Sequence, residues 1–144
     1  MANKIDGRAV AATTLEKVAK DVATLREGGW VPRLVSIRIG DDTAVDLYVR
    51  NQQRNAETVG IEFVEKQYPV EISEAEVHAA IVNLNVDPRV TGIILQRPIP
   101  DNLPIKRLQA TVHPLKDVEG VRRQNLLDTK WPELRETLAH QVVL

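Results

Sequence analysis

Apolar and polar positions alternate along this chain in a regular order of helical and strand-like periods. From Asp6, whose side chain suits a helix N-cap, the apolar residues Val10, Leu15, Val18, Val22 and Leu25 recur at three- to five-residue steps, and Gly28 and Gly29 close the run. Arg33 to Ile39 then alternates with period two and stops at Gly40, which predicts a strand. Asp41, Asp42 or Thr43 opens a second helix reaching about Val59, closed by Gly60, and a short strand is expected over 61–65. Ser73 with Glu76 three residues later has the pattern of a capping box, so a third helix should run from there to about Asn85. Val90 to Leu95 is a nearly unbroken apolar run, as expected of a strand covered on both faces.

Beyond that strand the texture changes. Five of the eight prolines fall between Pro88 and Pro114, so turns dominate, interrupted by a short helix expected over about 103–109. A last helix is expected from Thr129, with Pro132 in its first turn and Trp131, Leu134 and Leu138 on one stripe. This order predicts an α/β fold, a three-layer sandwich around a mostly parallel sheet, in a single domain over 1–128 with a C-terminal helix over 129–144 packing back on it. In such sheets ligands sit beyond the carboxyl ends of the strands. Here those ends are Gly40-Asp41-Asp42 and Gln96-Arg97-Pro98.

Composition narrows the chemistry. The 144 residues carry 19 Lys+Arg against 20 Asp+Glu, and 3% are aromatic. Without a basic excess or stacking platforms, nucleic acid is not an expected partner. Zero cysteines exclude thiolate chemistry and fit a reducing, cytoplasmic location, and no apolar run has the length of a membrane helix. The only serines, Ser36 and Ser73, lie inside a strand and at a helix cap, which disfavours a serine triad. His78, His113 and His140 lack metal-ligand spacing, so no metal site is expected. The seven glycines never form G-x-G, so neither a dinucleotide fingerprint nor a phosphate loop is present.

Three stretches hold candidate chemistry. On the second helix Val45, Tyr48, Val49, Ala56 and Val59 form one stripe, with Gln52 in its middle. A core-facing amide must find partners or cost about 1–3 kcal/mol, so Gln52 either satisfies a nearby backbone group or lines a pocket with Tyr48. The strand ending Ile93-Ile94-Leu95-Gln96-Arg97-Pro98 places a glutamine before a stiff turn, which reads as strand termination or as a site. Pro114-Leu115-Lys116-Asp117-Val118-Glu119-Gly120 is a charged loop with two acids, equally at home as a solvated turn.

Together these stretches resemble the N-terminal, folate-binding domain of the bifunctional methylene-tetrahydrofolate dehydrogenase/methenyl-tetrahydrofolate cyclohydrolase family. The matching segments are 5–11, 40–44, 48–51, 59–61, 84–87, 92–96 and 114–120 with Asn125, in family order. The resemblance implies a pocket for the pterin of a methylene- or methenyl-tetrahydrofolate. It implies that Tyr48 stacks on the ring system, that Gln96 hydrogen-bonds the residue at position 52, and that Glu119, in place of the family's aspartate, anchors the pterin's N–H groups.

The departures bear on activity. The family carries a catalytic lysine where this chain has Gln52, and an amide cannot exchange a proton near neutral pH. Val45 stands where serine is common, and Arg97 where the family is apolar. After Asn125 the family continues into a nicotinamide-binding domain, of which this chain has no counterpart, so no NAD(P) site is expected here. The expected function is therefore binding of a one-carbon folate and support of non-redox transfer of its carbon to an unidentified second substrate, a transferase rather than a dehydrogenase. Glu119, Gln52 and Gln96 are the candidate catalytic residues, and Tyr48, Gln52, Gln96, Arg97, Pro98 and Glu119 the candidate folate contacts. A catalytically silent folate-binding module, residual cyclohydrolase activity and a folate-free interaction domain are the other readings, and the sequence leaves homo-oligomer formation open.

Overall fold

The computed structural model describes residues 4–122. The expected helix over 129–144, Asn125 and the domain boundary at 128 lie outside the described residues.

Asp6 caps the first helix as expected, its Oδ1 accepting from the backbone N–H groups of Arg8 and Ala9 at 3.0 and 3.2 Å. The elements then follow as α1 (Gly7–Glu27), β1 (Arg33–Ile39), α2 (Thr43–Thr58), β2 (Glu62–Tyr68), α3 (Glu74–Val86), β3 (Gly92–Leu95) and α4 (Ile105–Thr111), with a 3₁₀ turn over Pro114–Lys116. At α3 the reciprocal bonds of Ser73 and Glu76 form, Glu76 N–H to Ser73 Oγ at 3.2 Å and Ser73 N–H to Glu76 Oε2 at 2.9 Å. The three strands form one parallel sheet in the order β2-β1-β3.

Alternation along β1 sorts side chains to the two faces. Val35, Ile37 and Ile39, with Ile93 and Leu95 of β3, pack against Val77, Ile81 and Leu84 of α3 and Leu108 of α4. Burial of such a side chain contributes about 1.5–3 kcal/mol, and this cluster is the main core. The opposite face meets α2, whose Val45, Val49 and Ala56 are buried. Helices on both faces of a parallel sheet make the three-layer α/β sandwich that the sequence pattern predicts.

Several boundaries differ from expectation. β2 extends to Tyr68 rather than ending at Glu65, because all seven of its residues pair with β1, including Lys66 and Gln67, which carry no apolar signal of a strand. It is an edge strand, exposed through those residues, and backbone pairing holds it without an apolar period. β3 is the inner part of the run from Val90, and α4 starts later than Leu103 because Pro104 serves as its N-cap. In α1 only Val22 is buried, while Val10 and Leu25 of the expected stripe are largely exposed. Tyr48 likewise leaves the α2 stripe and is 57% exposed.

The α2 face also holds a buried cation. Arg38 of β1 is 8% exposed, pairs through Nη1 with Asp46 of α2 and, at 3.6 Å, with Glu65 of β2, and donates from Nη2 to the Asp42 carbonyl at 2.8 Å. Its Nε is buried without a partner. Asp46→Ala is expected to lower stability by about 1–2 kcal/mol, less than the full cost of stranding a buried charge because Asp46 is itself a third exposed and Glu65 remains. Arg38→Met removes the charge together with the orphaned Nε and should leave stability at or above wild type. Urea unfolding curves for the two variants check this, and equal losses would contradict it.

Candidate functional site

The carboxyl ends of β1 and β3 lie side by side, with Ile37 of β1 paired to Leu95 of β3. After β1 the chain turns at Gly40, whose φ of 87° lies in the left-handed region open to glycine, and Asp42 then caps α2 by accepting from Ala44 N–H at 2.9 Å. This turn lays α2 across the face on which Ser36 and Gln96 stand.

Gln96 follows β3 and is 4% exposed. Its Nε2 donates to Ser36 Oγ at 2.9 Å and to Gln52 Oε1 of α2 at 2.7 Å. The expected pairing of Gln96 with position 52 is therefore present in the structure. Gln52 thus meets a side chain, not the backbone group that its position in the stripe also allowed. Tyr48 stands one turn earlier on α2 with its ring largely in solvent, so ring and amide flank one surface at the sheet end.

Arg97 and Pro98 come next in the chain and are exposed; the bond between them is cis. Glu119 is partly buried, and that burial pushes its carboxyl above the ordinary 4.5. The neighbouring Arg97 guanidinium opposes the rise and the Asp117 carboxylate adds to it, so Arg97, Asp117 and Glu119 share one local field. The 117–122 loop is held by Asp117, which accepts from Val121 N–H at 3.2 Å and Arg122 N–H at 2.9 Å, and by a parallel bridge from Asp117 to Ile93. Gly92 lies directly beneath it, and a Cβ there would come within 2.5 Å of Val118 Cγ1.

The structure so brings Tyr48, Gln52 and Gln96 together, and sets Arg97 and Glu119 within one another's electrostatic reach on the segments that follow β3. Sequence reasoning passed over Ser36, weighed only as a nucleophile, and over the packing role of Gly92. The signal for Ser36 was its parity, since it shares a sheet face with Gln96 once β1 and β3 are neighbours. A separate depression of about 480 Å³ lies at the ends of β1 and β2, lined among others by Gly40, Asp41, Gln67 and Tyr68. None of its lining residues belongs to the Gln52–Gln96 pair. Among the described residues no group of three or more His, Asp or Glu is placed to hold a metal ion, and no helix is long and apolar enough to cross a membrane.

Residues 5–119 match the family model of the tetrahydrofolate dehydrogenase/cyclohydrolase catalytic domain. The chain belongs to that family. Bifunctional protein FolD 2 of Mesorhizobium japonicum is 50% identical over 117 residues, covering 81% of this chain and 38% of the relative. Bifunctional protein FolD 3 of Ectopseudomonas mendocina is 43% identical over 122 residues, 85% of this chain and 40% of the relative. The chain thus spans about two fifths of the length of these curated relatives. Among solved structures, a 5,10-methylenetetrahydrofolate dehydrogenase of the silkworm Bombyx mori superposes with a TM-score of 0.83 at 33% identity, covering 88% of this chain and 44% of that one. The bifunctional enzyme FolD of Campylobacter jejuni gives 0.82 at 30% identity, with 84% and 43% coverage.

The raised Glu119 carboxyl sets a pH dependence. The folded state binds its proton more tightly than the unfolded chain, so stability falls as pH rises from the ordinary value of 4.5 through the elevated folded value. Glu119→Gln should match wild type near pH 4 and exceed it at pH 7. Thermal melts across that range test the sign, and parallel profiles for the two proteins would contradict it.

Proposed function

We propose that this domain binds a one-carbon tetrahydrofolate, at the methylene or methenyl level, beside Tyr48 and supports non-redox transfer of the carbon to a second substrate. The observation that carries the reading is the Ser36–Gln96–Gln52 string, which holds a polar amide next to an exposed tyrosine ring at the carboxyl end of a parallel sheet. A tyrosine face offers a planar heterocycle stacking area at low conformational cost. Arg97 is suited to an anionic group, either the carboxylates of the folate tail or an anionic co-substrate, and Pro98 stiffens the turn that carries it. Membership of the family, and the methylenetetrahydrofolate enzymes among its relatives, support the ligand class.

Within this reading Gln52 replaces the lysine of the resembled enzymes and cannot move a proton near neutral pH. Glu119 is the group that can, since burial has already brought its carboxyl closer to neutrality. In transfer from the methylene level, an amine would bond to the bridging carbon as its bond to one folate nitrogen breaks, and the bond to the second nitrogen would break as the amine's lone pair forms an imine; Glu119 would carry the amine's two protons in turn, one to each departing nitrogen. A second reading, a folate-binding module without catalysis, is favoured by the locking of Gln52 to a neutral partner.

Titration with a reduced folate, followed by fluorescence quenching, tests binding. Tyr48→Ala should weaken it about tenfold, from lost stacking and contact area. Unchanged affinity in that variant would remove the tyrosine wall. Mass spectrometry of methylene-tetrahydrofolate incubated with amines separates the readings, because a one-carbon adduct appears only if transfer occurs. Gln52→Lys should introduce hydrolysis of methenyl-tetrahydrofolate, raising its rate by about 10²-fold or more, read by loss of the ligand's absorbance. No gain in a variant that still binds folate would mean that Arg97 and Glu119 have altered the geometry the lysine needs.

A further inference from the structure

The helix α3 carries apolar side chains on two opposite faces. Val77, Ile81 and Leu84 are buried in the main core. Half a turn round the same helix, Ala75, Ala79, Val82 and Val86 recur at steps of four, three and four, which places them on one narrow stripe. All four are exposed, Val86 at 74%. Leu115, 87% exposed, lies in the 3₁₀ turn that abuts this end of α3, where Lys116 Nζ donates to the Leu84 and Asp87 carbonyls, both at 2.8 Å. A helix that is apolar all round is ordinarily covered on both sides. Among the described residues the outer stripe stays open to solvent.

We propose that this stripe is the docking surface for residues 131–142 of the same chain. The proposal stands apart from the folate reading. The chain leaves the described fold beside the C-terminal end of α3. There Asn85 Nδ2 donates to the Thr111 carbonyl at 2.7 Å and its Oδ1 accepts from His113 N–H at 2.8 Å. Arg122, the last described residue, donates from Nη1 to the Val112 carbonyl at 3.1 Å. Farther along the sequence Trp131, Leu134, Leu138 and Val142 recur at steps of three and four. As a helix that run is about 16 Å long, the same as the stripe from Ala75 to Val86. The connecting residues 123–130 reach up to about 26 Å when extended, enough to bring Trp131 to any point of the stripe. One helix face of this length is small against the roughly 1,200–2,000 Å² that a stable pair of proteins buries, so a free second copy would hold it poorly. A segment on a short tether acts at a far higher effective concentration, and a modest apolar contact then suffices. The partly bare helix α1 is the competing surface. It is held near the edge strand β2, through Arg26 Nε to the Gly60 carbonyl at 2.8 Å, whereas Arg122 leaves from the β3 side of the sheet.

The chain has no cysteine, so an introduced pair supplies its only thiols. The test oxidises the full chain carrying Val82→Cys with Leu134→Cys, at micromolar protein, and identifies the linked peptides by mass spectrometry. Val18→Cys with Leu134→Cys is the comparison pair on α1. The α3 pair should close within one chain at least about tenfold faster than the α1 pair, with linked dimers a minor product. Equal closure of the two pairs, faster closure on α1 or no closure of either would overturn the proposal. Linked dimers as the main product would overturn it too, and would assign the stripe to a second copy. A second measurement needs no cysteine. Trp30→Phe leaves Trp131 as the sole indole, and adding Val82→Glu, at an exposed position, should raise its quenching by acrylamide about twofold or more. Unchanged quenching would overturn the proposal even if the cysteine variants failed to fold.

Discussion

The buried amide of Gln96 is the joint on which the rest of this domain's functional end depends. A parallel sheet covered on both faces leaves little room for polar side chains, and an unmet amide there costs about 1–3 kcal/mol. The chain meets that constraint with three side chains from three elements: Ser36 in the central strand β1, Gln96 at the end of β3 and Gln52 on α2. Each bond closes a gap of 44 to 60 residues in sequence, so the string ties the helix to both strands at their carboxyl ends. The same bonds that satisfy the core therefore hold the amide that the proposed function sets beside the folate. On that reading, stability and recognition are not separable at this point of the fold.

Arg38 shows a different solution on the same sheet face. There the polar group is charged and is met by carboxylates on α2 and β2, yet its Nε has no partner. The neutral string is cheaper to bury because no ionic hydration is lost, whereas the guanidinium must be compensated by groups that are themselves partly in water. The charged cluster lies on the β2 side of α2 and the neutral string on its β3 side. The charged groups Arg97 and Glu119 lie on the segments beyond β3.

Most of the fold was legible because its signals are local. Asp6, the Ser73–Glu76 box and Gly40 act within a turn of chain, and Val35, Ile37 and Ile39 announce their face by alternation alone. What misled was context. Lys66 and Gln67 lie in a strand because β1 pairs with them, which no property of those two residues reveals. Tyr48 fits the apolar period of α2 yet turns to solvent, because periodicity marks the stripe but not where the neighbouring sheet ends. Of the candidate site, both the Gln52–Gln96 contact and the candidacy of Glu119 were readable through family resemblance, since the loop that carries Glu119 looks by itself like a solvated turn. Ser36 was not, since its partner is 60 residues away and only sheet order makes them neighbours.

The residues that build the candidate site all lie between Ser36 and Glu119, inside the span that matches the family's catalytic domain. Val118 packs closely over Gly92, the first residue of β3, and so holds the loop that carries Glu119 against that strand. Among the described residues, the bonds that position Gln52 and Gln96 come from within that span. What the unit does with a bound ligand turns on the chemistry of two positions. Under the proposed function a neutral amide at 52 orients without exchanging protons, while the carboxyl at 119, raised by burial and opposed in that by the Arg97 guanidinium, is the group that exchanges them. That division would suit a reaction in which the carbon changes owner and no electrons leave it.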